Sequence, residues 1–237
     1  MENQDINSGE VTDLWRFPVK SMGGEQLKEL EISAHGVVGD RAYALLDKQT
    51  GKVVSAKNSK FFPEILNCSA RFVSRPLQHE KIPAVIVTLP SGETVSSDDP
   101  AANDKLSEFF GREVNLIQTA PADFTIDQFH PDIAGLDPSG NQNTTVAQKL
   151  GSALFNSVGL DSPVPSGSFL DVFPVSVITT STMTKLKELS PQSLFDVQRF
   201  RMNIVVKTSE NGFVENEWVN ENATEHMKLL KEVLYDM

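Results

Sequence analysis

Four short stretches of this chain carry side chains suited to holding a negatively charged, hydrogen-bonding ligand. The first is Val19-Lys20-Ser21, which runs into Met22-Gly23-Gly24. A lysine and a hydroxyl stand there at a glycine-rich bend, where backbone angles closed to other residues are open. The second is Asp40-Arg41, preceded by Gly36-Val37-Val38-Gly39 and followed by the apolar run Ala42 to Leu46. The third, Thr179-Thr180, opens a predicted helix whose unpaired N–H groups suit either simple capping or an anion. In the fourth, Arg199-Phe-Arg201-Met-Asn203, an extended backbone puts Arg199, Arg201 and Asn203 on one face before the buried run Ile204-Val205-Val206. Lysine supplies a point charge, arginine a planar fork, and loop N–H groups fill the remaining acceptor positions of an oxyanion. The same residues also suit hairpins and strand edges with ordinary surface charges, so the pattern alone leaves both open. Ser55, Lys57 and Asn58, at the exit of a predicted hairpin, are expected either to face the same opening as Lys20 or to form a solvated loop.

Other chemistry is excluded more firmly. Cys68 is the single cysteine of the 237 residues, so no internal disulfide or multi-cysteine zinc or iron–sulfur site forms among them. It lies in the apolar stretch Leu66 to Val73 with no histidine beside it, and is expected to be a small core residue rather than a nucleophile. The four histidines show no metal-ligand spacing. Asp127, His130 and Asp132 are close together, but Pro131 and the lone histidine favour a solvated turn. Neither a metal ligand nor a catalytic residue is assigned. With 21 basic and 32 acidic residues the net charge is −11, which argues against a general nucleic-acid or anionic-membrane binder. A basic pocket would have to be built by folding. The first ten residues are polar and no apolar run approaches membrane-spanning length, so a cytoplasmic protein is expected.

The elements that must position these residues are mostly short strands. Val11 to Phe17, Arg41 to Leu46, Lys52 to Ala56, Leu66 to Val73, Ala84 to Leu89 and Val114 to Thr119 read as strands, several joined as hairpins. Asp99-Pro100 opens a helix through Phe110 that Gly111 ends. From 120 to 168 apolar periodicity fades, and a long loop is expected. Order returns with Phe169 to Phe173 and the apolar run Val175 to Ile178, a short helix opened by Thr179-Thr180-Ser181-Thr182 and running through Leu189, a central strand at Ile204 to Val206, the approach to a further strand at Phe213 to Trp218, and a short amphipathic tail helix carrying Met227, Leu230 and Leu234. The fold class expected is mainly β with some helix (α+β). Residues 1–10 form a disordered leader, 11–119 a β-barrel-like domain, and 120–237 a second, incomplete barrel.

Phe17-Pro-Val-Lys-Ser21, Gly39-Asp-Arg-Ala-Tyr43 and Arg199-Phe-Arg-Met-Asn203 with Ile-Val-Val behind it, taken in that order, resemble the MOSC family. This is the domain of molybdenum cofactor sulfurases and of amidoxime- and hydroxylamine-reducing molybdoenzymes, here similar to the two-part form with an N-terminal β-barrel. The resemblance implies the molybdenum cofactor (molybdopterin), with its pterin phosphate and ring held by Lys20, Ser21, Arg41, Thr179, Thr180, Arg201 and Asn203. It also implies an N-hydroxylated small-molecule substrate and an electron-transfer reductase as partner, or transfer of sulfur for the cofactor. Two positions depart from the family: Met202 stands where proline is common, and the 19 residues after Trp218 include no cysteine. The C-terminus therefore reads as truncated and cofactor binding as weakened or lost. The alternative is a non-catalytic remnant that holds a pterin phosphate, a nucleotide or a protein partner.

Overall fold

The computed structural model describes residues 9–135, 137, 139–216 and 218. The predicted tail helix and the first eight residues of the predicted leader lie outside these. The chain is mainly β with some helix, 28% strand and 17% helical. The strands are β1 (Glu10–Arg16), β2 (Glu25–Leu27), β3 (Ile32–Ser33), β4 (Gly36–Val37), β5 (Ala44–Asp47), β6 (Lys52–Val53) and β7 (Ser69–Phe72). They continue as β8 (Val85–Thr88), β9 (Thr94–Ser96), β10 (Val114–Ile117), β11 (Thr125–His130), β12 (Thr144–Lys149), β13 (Val177–Thr179) and β14 (Ile204–Lys207). The helices are α1 (Ala102–Phe110), α2 (Gly151–Ser157), α3 (Thr180–Leu189) and α4 (Val197–Phe200). Two compact units result: residues 16–25 with 31–174, and, as far as described, residues 1–15 and 26–30 with 175–237.

In the first unit β5 is the middle strand of the sheet β10-β5-β6. Its Leu45, with Tyr43 before it, enters a core shared with Phe72, Val85, Val87 and Leu106. Ala44, on the opposite face, joins Val53, Phe124, Ile126 and Phe169. A strand covered on both faces carries an unbroken apolar run, which is why Ala42 to Leu46 shows no polar alternation. The hairpin sheet β7-β8-β9 and the pairs β3-β4 and β11-β12 complete the unit. Among the described residues these sheets do not join into a closed barrel.

Helix α1 forms where expected but begins later than Asp99-Pro100: its N-cap is Ala101, with no side-chain cap hydrogen bond. Ala102 and Leu106 are buried, and Gly111 ends the helix in a left-handed conformation, φ 60°. Asp99 accepts a hydrogen bond from Ala101 N at 2.9 Å just ahead of it. Residues 120–168, in contrast, are not the long loop expected. They carry the hairpin β11-β12, paired from Thr125↔Lys149 to His130↔Thr144, and helix α2. The two strands mix polar and apolar residues, and only Ile126 and His130 of β11 are buried, so local periodicity is weak while the cross-strand ladder is complete.

The second unit is built on the sheet β13-β14-β1-β2. β14 runs antiparallel to β1, with Leu14 opposite Ile204, and parallel to β13, with Ile178 opposite Val205. Helix α3 lies between the two parallel strands in the chain, as a parallel crossover requires. Ile178, Met183 and Val205 form its buried core, packed by Trp15, Phe195, Phe200 and Met202. The expected extended segment before β14 is instead helix α4, started by Asp196, whose side chain accepts from Gln198 N, and stopped by Arg201 in the left-handed region. Arg199 therefore does not continue the strand face of Asn203. In the stretch expected to approach a further strand, Val214–Asn216 form a 3-10 turn.

Candidate functional site

Lys20 is positioned by pairing between the segment after Pro18 and the start of β5. Its N–H donates to Tyr43 O at 2.8 Å, while Tyr43 N donates to Pro18 O at 3.0 Å. The side chain turns inward and is 5% exposed. Its Nζ donates to Phe169 O at 3.0 Å and forms an ion pair with Asp171. It also lies 5.2 Å from the Phe124 ring centroid, a distance that adds a cation–π attraction. Burial pushes the Lys20 ammonium below the usual lysine range; Asp171 opposes that shift, and Arg41 and Lys57 deepen it.

The same carboxylate reaches a second cation. Asp171 Oδ2 lies 3.3 Å from Lys57 Nζ. Burial alone raises a carboxyl, but Lys20 and Lys57 outweigh it and hold Asp171 at about 2. Lys57 thus joins the Lys20 cluster, as one reading of its position implied. Ser55 and Asn58 do not: both are buried, and they tie the turn together through Lys57 N to Ser55 Oγ and Phe61 N to Asn58 Oδ1.

Ser21 is buried and takes φ +69°, and its Oγ accepts from Ala56 N at 3.0 Å. The left-handed residue of the glycine-rich bend is therefore Ser21. Gly24 is needed instead for close approach, since a Cβ there would stand 2.2 Å from Arg16 O. Arg41 also has positive φ, +46°, directly after the turn at Gly39. Its guanidinium pairs with Asp40 and stacks 4.9 Å from the Phe17 ring centroid. The other oxygen of Asp40 accepts from Phe17 N at 2.7 Å, so the acid that orients Arg41 is itself fixed by backbone.

The remaining predicted residues lie in the second unit. Thr179 is the N-cap of α3, its Oγ1 accepting from Thr182 N at 3.1 Å, and Thr180 is the first helical residue. An anion does occupy this helix start, and it is the chain's own Glu215. The Glu215 carboxylate accepts from Thr179 N and Thr179 Oγ1, both at 2.8 Å, and from Thr182 Oγ1. Burial raises the Glu215 carboxyl, but the hydrogen bonds from Thr182 and Thr179 carry it below the usual range. Asn203 is 1% exposed. Its Oδ1 accepts from Ser176 N and Ser176 Oγ at 3.1 and 3.0 Å, and its Nδ2 donates to Trp15 O at 3.3 Å. Arg201 is half-buried, at φ +50°.

Three of the seven predicted residues, Ser21, Arg41 and Arg201, are thus among the five non-glycine residues with positive φ in the described chain. Lys20, Ser21 and Arg41 fall in one unit, close enough that Arg41 acts on Lys20; Thr179, Thr180, Arg201 and Asn203 fall in the other. Asp171 and Glu215 escape the sequence reading. The available signal for Asp171 was an acid flanked by apolar residues in Phe169-Leu-Asp-Val-Phe173, since a carboxylate in such a run needs a cation.

A cavity of about 570 Å³ opens elsewhere in the first unit, lined among others by Arg75, Lys81, Pro83, Asp98 and Gln118. Its mixed charges select no ligand class, so the buried Lys20 cluster is the better candidate. Cys68 is 1% exposed, and burial together with Glu64 pushes its thiol up to about 11. It is a protonated core residue and supplies no thiolate. Among the described residues no group of three His, Cys, Asp or Glu side chains is placed to hold a metal, and no helix is long and apolar enough to cross a membrane.

No curated protein matches the chain. The family model of the MOSC N-terminal β-barrel domain matches residues 8–112, the stretch that contains Lys20, Ser21, Lys57 and Arg41 with its partner Asp40. Residues 8–112 therefore belong to the MOSC family, as its N-terminal β-barrel domain.

Proposed function

We propose that this chain is a molybdenum-cofactor-binding MOSC protein whose Lys20, Ser21, Lys57 and Arg41 receive the phosphate end of the pterin. The supporting observation is the buried Lys20 ammonium, held with Lys57 on a single carboxylate inside the unit that carries the family match. A buried lysine with so much cation around it is costly unless anions compensate it, and a phosphate adds the compensating charge. Arg41, already aimed by Asp40 and Phe17, offers planar N–H donors without further ordering.

The donor set suits a phosphate. It does not suit a metal–thiolate bond, because Cys68 is buried and protonated. When bound, the cofactor would supply oxygen-atom and two-electron chemistry, with an N-hydroxylated compound as substrate and a reductase as electron donor. The protein's own part is to bind and orient. Asn203, with its amide already bonded to Ser176 and Trp15, would act by fixing the strand end beside it rather than by reading the pterin ring.

A second reading is favoured by Cys68: a non-catalytic holder of a phosphorylated pterin or nucleotide, without metal. One preparation separates the two. The chain purified from a host that makes the cofactor is assayed for pterin and for molybdenum. Both at comparable amounts support the first reading, and pterin alone supports the second. Absence of pterin from the wild type, or equal pterin in Lys20→Met, contradicts both.

A further inference from the structure

Asp171 bridges two ammonium groups with its two oxygens, one on Lys20 and one on Lys57. A ligand phosphate or carboxylate would make the same two-point contact. The main chain of Asp171 is fixed as well: Gly151 N, at the start of α2, donates to the Asp171 backbone carbonyl at 2.6 Å. Gly151 has φ +56°, and a Cβ on it would stand 2.9 Å from Leu170 O, so the approach of these two segments requires glycine. Exposure is uneven across the bridge. The Lys20 side chain is 6% exposed, whereas those of Asp171 and Lys57 are 39% and 42% exposed. Asp171 and Lys57 thus form the solvent side of the bridge and Lys20 its buried side.

Taking Lys20 as the anion donor proposed above, we infer that Asp171 is an internal competitor for the cradle, occupying the two-lysine position that a ligand phosphate takes, so that binding proceeds by exchange of one anion for the other. The charged groups around the position are Lys20, Lys57 and Arg41 against Asp171 and Asp40. They sum to one positive charge with Asp171 in place and to two without it. Exchange keeps the buried Lys20 compensated at every stage. It also raises the threshold for ligands, because a tethered carboxylate competes at high effective concentration.

The test is calorimetric titration of inorganic phosphate into wild type, Asp171→Asn and Lys20→Met. Asp171→Asn is expected to bind at least about tenfold more tightly than wild type, a factor that corresponds to one decade of Kd. Lys20→Met is expected to bind least. If wild type binds, Lys20→Met does not, and Asp171→Asn binds no better than wild type, the competitor role is wrong while the cradle stands. If none of the three binds, the cradle itself is wrong. Should Asp171→Asn fail to fold, crystals of the wild type soaked in phosphate decide the matter. Phosphate is expected on Lys20 with the Asp171 carboxylate moved off it, and an intact Lys20–Asp171 pair beside a bound phosphate overturns the competitor role.

Discussion

Lys20 and Asp171 form an ion pair in which the cation is 5% exposed and the carboxylate side chain 39% exposed. The asymmetry sets what each partner loses if the other is removed. Asp171 without Lys20 still meets water and Lys57, whereas Lys20 without Asp171 keeps, among the described residues, the Phe169 carbonyl and an aromatic face. The cation is the partner at risk.

This pairing has a pH signature. The Asp171 carboxyl is lowered from 3.8 to about 2 in the folded chain. A depressed folded value means stability that is fully present above the ordinary carboxyl value and lost as pH falls through about 2. The urea midpoint of wild type should therefore fall towards that of Asp171→Asn between roughly pH 5 and pH 2.5. A gap between the two proteins that stays constant over that range would show that Asp171 is not held by its lysines.

Asn203 tests the distinction between holding a ligand and holding the fold. All three of its side-chain bonds, two from Ser176 and one to Trp15, are internal, and it is almost fully buried. Asn203→Ala takes the side-chain acceptor from Ser176 N and should cost about 1–3 kcal/mol by chemical denaturation. A loss below about 0.5 kcal/mol, the range of unconstrained surface changes, would mean the amide is not structural.

Glu215 makes a parallel prediction for α3. Its carboxylate accepts three hydrogen bonds at the helix start, while Thr179 separately caps Thr182 N. Glu215→Ala should lower stability by about 1–2 kcal/mol, and Glu215→Gln, which keeps an acceptor but not the charge, by less. Equal losses in the two variants would indicate that charge at the helix terminus contributes nothing.

Much of the scaffold is legible in local patterns. Helix α1 is announced by Asp99-Pro100 and Gly111, α3 by its threonines, and β5 and β14 by short apolar runs buried on both sides. The hairpin β11-β12 is not, because its strands are separated by residues 131–143 and stabilised by a ladder that single-strand periodicity does not report. Helix α4 was hidden by two arginines spaced like a strand face, and its stop depends on Arg201 adopting a left-handed backbone that composition does not foretell. At the site, the donors were visible and their acceptors were not. Lys20 stands at a glycine-rich bend, but its partner Asp171 is 151 residues away, and Thr179 is 36 residues from Glu215. Nothing local connects either pair. An acidic chain with 32 carboxylates had internal anions to spare for both positions.

The most direct measurement is the affinity of a phosphorylated pterin for wild type, for Lys20→Met and for Lys48→Met, whose lysine is 46% exposed and paired with Glu113. Wild type and Lys48→Met are expected to bind alike, and Lys20→Met at least about tenfold more weakly. Equal affinity in all three proteins, or none in any, would contradict the cradle.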